Sequence, residues 1–104
     1  MNNLSNTHDF GLKEHYLDEI RQVLAKTPEI ERAVIFGSRA KGSYRRGSDV
    51  DIALFGDLNL DQISHITYQL NEETRIPLFF DVVNYNTLTN SALKDHIDRI
   101  GKTL

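Results

Sequence analysis

Ten residues separate the dipeptide Gly37-Ser38 from the first of two alternating carboxylates, Asp49 and Asp51. An apolar run ends in the Gly-Ser, a basic loop follows, and a second apolar run opens with the carboxylates. Glycine lacks a Cβ, so backbone at Gly37 can approach a ligand closely. Ser38 is placed to open a short helical turn, residues 38–41, stopped by Gly42. Backbone N–H groups at a helix start are unpaired and favour phosphate oxygens, and the Ser38 hydroxyl adds a donor. Ser38 also resembles a nucleophile, but no His or Lys is locally placed in the sequence to activate it, so phosphate contact is the better reading. Asp49 and Asp51 stand at i and i+2 of a strand and project from one face, while Val50, Ile52 and Leu54 fill the other. Neighbouring carboxylates repel, and a divalent cation relieves the repulsion. All-oxygen ligation suits Mg2+, which takes one or two carboxylates plus substrate phosphates. A turn for a triphosphate beside carboxylates for metal ions suits nucleotidyl transfer.

The elements around these residues must bring a third carboxylate to them. Residues 32–36 are β-branched and aromatic and read as a buried strand, and residues 49–55 read as a second. The first ends and the second begins at the shared site, so the two are antiparallel neighbours. Residues 60–74 then form a returning helix, and residues 78–83 a third strand, parallel to the second. That strand is apolar except for Asp81, and a lone charge inside such a run is costly unless it is paired or ligates a metal. Asp81 is therefore the third site carboxylate.

Outside the site, Leu12, Tyr16, Ile20, Val23 and Leu24 keep helical spacing and predict a helix over residues 12–26, ended by Thr27-Pro28. Asn59 is placed to cap the next helix. Asn90 or Ser91 caps the last, which Gly101 stops. The order α-β-α-β-α-β-α predicts an α/β fold, a small mixed three-stranded sheet with helices on one face and around its edges. The 104 residues form one domain, with residues 1–9 expected to be a flexible tail. His8, His15, His65 and His96 show no metal-ligand spacing and read as surface or helix residues. Phe79 and Phe80 must face opposite ways, so one is left on a less covered face. Tyr44 either stacks on a base or covers the basic loop.

Charge is uneven. The net charge is −3, yet residues 37–48 hold Arg39, Lys41, Arg45 and Arg46 and no acid, against eight basic and fifteen acidic residues elsewhere. A local basic loop on an acidic chain fits a triphosphate better than a nucleic-acid track, so no extended nucleic-acid binding is expected. Arg39 and Lys41, nearest the Gly-Ser turn, are the cations expected to contact phosphate. No apolar run approaches membrane-span length, no secretory pattern opens the chain, and there is no cysteine, all compatible with a cytoplasmic protein.

Gly37-Ser38, ten residues, Asp49-x-Asp51 and a later Asp81 resemble the nucleotidyltransferase superfamily of DNA polymerase β and kanamycin nucleotidyltransferase. The short length and the wording from Phe36 through Gly42 to Asp51 resemble the minimal nucleotidyltransferases, MNT antitoxins paired with HEPN toxins. The resemblance implies the nucleotidyltransferase fold, ATP as substrate and two Mg2+ ions held by Asp49, Asp51 and Asp81. It implies Gly37, Ser38, Arg39 and Lys41 on the nucleotide, and a tyrosine of a HEPN RNase toxin as acceptor of AMP. A homo- or hetero-oligomer fits that pairing. Two other readings stay open: an antitoxin that acts by contact alone, and transfer to a small molecule such as an aminoglycoside.

Overall fold

The computed structural model describes residues 10–104; the expected N-terminal tail and His8 lie outside them. Among the described residues four helices and four strands alternate. They are α1 (Glu14–Ala25), β1 (Ile30–Phe36), α2 (Gly37–Lys41), β2 (Val50–Gly56), α3 (Leu60–Glu72), β3 (Phe80–Asn84), α4 (Ser91–Ile100) and β4 (Lys102–Thr103). A single turn of 3-10 helix, Tyr85–Thr87, links β3 to α4.

The sheet order is β3-β2-β1-β4. β1 runs antiparallel to β2, and β2 runs parallel to β3, as the shared-site argument requires. The sheet has four strands rather than three. β4 adds to β1 through Val34↔Thr103 and Ile35↔Lys102, antiparallel. β1 begins at Ile30, before the expected Arg32, across a register irregularity between those two residues.

Alternation divides the sheet into two faces. Ile35, Val50, Ile52, Leu54, Phe80 and Val82 join Leu17, Ile20, Val23 and Leu24 of α1 and Ile66 and Leu70 of α3 in the main core. Phe80, Ile35, Ile52 and Leu54 are fully buried, each contributing on the order of 1.5–3 kcal/mol by leaving water. On the second face Val34, Phe36 and Ala53 pack under Ile97 of α4. One helix therefore covers part of the face opposite the other two, an arrangement the expected grouping on one face and the edges did not include.

Local chemistry ends the elements where the sequence indicates. Asn59 and Gln62 form a reciprocal capping box at the start of α3. Asn90, not Ser91, caps α4 by accepting from Leu93 N–H at 3.0 Å. Gly42 closes α2 in the left-handed conformation, φ 86°. The start of β3 is held from outside the sheet. The Asn71 side chain of α3 accepts from Phe80 N–H at 2.8 Å and donates to Phe80 C=O at 3.0 Å. A side-chain amide thus replaces a neighbouring strand one residue before Asp81.

Candidate active site

β1 delivers the glycine turn and β2 and β3 deliver carboxylates to the same end of the sheet. Phe36 is the register partner of Asp51, and Asp51 is the register partner of Asp81. Paired residues on adjacent strands share a face, so Asp51 and Asp81 lie side by side on the second face, beyond the part covered by α4. Asp49 immediately precedes β2 and is exposed; Asp51 is half-buried and Asp81 exposed. Burial, reinforced by the neighbouring Asp81 and Asp49 carboxylates, pushes the Asp51 carboxyl above its ordinary pKa. Among the described residues no three acidic, histidine or cysteine side chains form a ready metal cage. Asp49 and Asp81 each lie within electrostatic reach of Asp51. Their all-oxygen donor set and the unfavourable field at Asp51 fit a hard divalent cation.

Gly37 has φ +74°, a conformation that L side chains rarely adopt. A Cβ at this position would run into Asp51 Oδ2. The turn therefore favours glycine, and a larger residue would have to displace the Asp51 carboxylate. The Gly37 N–H donates to Nε2 of His96 at 3.1 Å. Ser38 is half-buried, and its carbonyl accepts from Gly42 and Ser43 N–H. Among the described residues the Ser38 hydroxyl has no hydrogen-bond partner. Lys41 is exposed on the last turn of α2.

Arg39 departs from expectation. It is 2% exposed, and its guanidinium is committed to backbone carbonyls. Nε and Nη2 donate to Ser48 C=O at 3.1 and 2.9 Å, Nη2 to Arg46 C=O at 3.1 Å, and Nη1 to Phe10 C=O at 2.9 Å. Burial draws its pKa below the ordinary arginine value, against the opposing pull of Tyr44 and Asp49. The Tyr44 ring lies over it, 5.3 Å from the guanidinium carbon, while staying partly exposed. Four of its five N–H groups are thus taken by backbone carbonyls, which commits the buried fork to the loop rather than to an outside anion. Arg39 instead ties the loop ahead of Asp49 to α2, which fixes the spacing between the glycine turn and the first carboxylate.

His96 is a helix residue, as expected, and lies in α4. It is half-buried, its ring meets Phe36 edge-on at 6.0 Å, and it contacts a residue 59 positions earlier. Nothing in the spacing of the sequence signals that contact. Phe79 is 59% exposed while Phe80 is fully buried, as alternation requires. A separate concavity of about 650 Å3 lies at the same end of the sheet, lined by Leu12, Lys13, Tyr16, Arg46, Pro77 and Leu78, and contains none of the carboxylates.

An antiparallel hairpin carrying a glycine turn and a carboxylate, extended by a parallel strand carrying another, defines a nucleotidyltransferase-type α/β domain. Residues 18–104 match the family described as Polymerase beta, Nucleotidyltransferase, and the chain belongs to that family. It is similar to a toxin–antitoxin solved with AMP-PNP, with 21% identity and TM-score 0.69, over 88% of this chain and 72% of that one. It is similar to the toxin–antitoxin MntA–HepT, with 18% identity and TM-score 0.66, over 88% and 70%. A presumed nucleotidyltransferase from Sulfolobus solfataricus shares 20% identity and TM-score 0.57, over 98% and 87%. At these identities the likeness is one of fold. No curated protein sequence matches the chain. No helix among the described residues is long and apolar enough to cross a membrane.

Proposed function

We propose that the chain is a Mg2+-dependent nucleotidyltransferase that moves AMP from ATP to a protein hydroxyl, a tyrosine of a cognate HEPN-type toxin, and so acts as an antitoxin. The observation that carries this reading is the placing of Asp51 and Asp81 as register partners, with Gly37 packed directly against Asp51. The nucleotide analogue and the toxin partner of the fold's neighbours support the choice of substrate and acceptor.

In this reading Asp51 and Asp81, with Asp49, hold the metal. Bound Mg2+ supplies charge neutralisation and acidifies the attacking hydroxyl. Ser38 and the amides that follow it contact the triphosphate, because Gly37 N–H is already committed to His96. Lys41, exposed on the last turn of α2, approaches the phosphates. Asp81, on the outer strand, orients the acceptor hydroxyl and takes its proton. The acceptor oxygen bonds to the α-phosphorus as the bond to the bridging oxygen breaks and pyrophosphate leaves. Geometry here supplies alignment, which is where most of the rate gain in such transfers arises.

The test is label transfer from ATP carrying radioactive α-phosphate to the toxin protein, with Mg2+ present. Transfer to a toxin tyrosine, lost in Asp51→Asn, is the expected result. Neutralisation of the toxin without transfer refutes catalysis and leaves an antitoxin that works by contact.

A further inference from the structure

Gly37 N–H is the first amide of α2 and has no partner within that helix, as helix starts dictate. The group that satisfies it comes from the far end of the chain. His96 of α4 reaches across 59 residues and accepts the proton at Nε2. Phe36, directly before the turn, packs edge-on against the same ring and limits its swing. Asp51 also packs against Gly37, its Oδ2 in the space a Cβ would take, and lies within electrostatic reach of His96.

We propose that His96 is a positioning residue of the nucleotidyl-transfer site: by accepting from Gly37 N–H it fixes the glycine turn, and through the turn it fixes the Asp51 carboxylate. The inference rests on the metal-binding role proposed for Asp51. His96 touches backbone, not substrate, and its effect passes through Gly37. The contact also dictates a proton position. An imidazole that accepts at Nε2 is neutral and carries its hydrogen on Nδ1. The α4 helix, which packs Ile97 over Val34, Phe36 and Ala53, thereby becomes part of the site.

The experiment compares the wild-type chain with His96→Leu, which removes the acceptor, and His96→Gln, which supplies a side-chain oxygen in its place. Three readouts are taken: the ring 15N shifts of His96, the exchange rate of the Gly37 amide, and Mn2+ affinity from water-proton relaxation. The expected wild-type ring is the Nδ1–H tautomer. In His96→Leu the Gly37 amide exchanges faster and Mn2+ affinity falls about tenfold, the weight of one hydrogen bond. His96→Gln restores both to within about threefold, a substitution a merely space-filling role would not favour over leucine. An Nε2–H tautomer in the wild type overturns the proposal, as does unchanged Mn2+ affinity in a folded His96→Leu or no difference between the two variants. Asp51→Asn separates the underlying reading. If it leaves Mn2+ affinity intact, the metal role of Asp51 fails, while the tautomer and the Gly37 exchange still judge His96.

Discussion

Replacing Arg39 tests whether its charge serves the fold or the phosphates. The guanidinium makes four hydrogen bonds to the carbonyls of Phe10, Arg46 and Ser48. Hydrogen bonds to a charged group contribute about 1.5–3 kcal/mol each in favourable cases. The bond to Phe10 is the buried one, and its loss leaves a carbonyl without a partner. Arg46 and its neighbour Gly47 are exposed, so carbonyls on that side recover water and lose less. Removing the cation also returns the cost of burying it. The net for Arg39→Met is about 2–4 kcal/mol of destabilisation, or about 4–8 °C of melting temperature per kcal/mol in a domain of this size. Arg39→Lys keeps the charge but lacks the planar fork, so it recovers less than half. The assay is urea unfolding followed by circular dichroism, with amide exchange read over residues 45–49. If Arg39→Lys is as stable as wild type and only ATP affinity falls, the clamp reasoning is refuted and Arg39 returns to the phosphate site.

Two further outcomes follow from the carboxylates and the turn. Asp51→Asn abolishes label transfer while leaving the fold at least as stable, because it removes repulsion with Asp81 and Asp49. The folded pKa of Asp51 lies above its unfolded value, so its contribution to stability is present in acid and falls as pH rises through that interval; pH-dependent unfolding of the Asn variant loses this fall. Gly37→Ala costs about 1–2 kcal/mol for the left-handed backbone and pushes Asp51 Oδ2 aside, so thermal melting drops modestly while Mn2+ binding and label transfer fail together; a variant with wild-type transfer would refute the close-packing argument.

The site was legible in the sequence where local rules suffice. Alternation alone put Asp51 opposite the buried Val50, Ile52 and Leu54, and the direction of the strands brought Asp81 beside it. Asn59, Gly42 and Gly101 act at the boundaries their chemistry indicates. Contacts made by chain return were not legible. β4 is two exposed residues without an apolar pattern, and only its pairing with β1 makes it a strand. Arg39 looked like a phosphate cation because nothing nearby in sequence reveals that Phe10 and Ser48 fold back onto it. His96 gave no signal because its partner is a backbone amide. Asn71 is likewise an ordinary polar helix residue until Phe80 is placed beside it.

The Asn71 amide has a consequence for assembly. An outermost strand exposes a row of backbone groups that invites a strand from another molecule. β3 is outermost, and at its first residue both outward-facing groups are already occupied by Asn71. A visiting strand would have to displace that side chain before it could pair there. The sheet is thus closed to extension beside Asp81, and a protein that engages this end must do so through side chains laid across it rather than by lengthening the sheet.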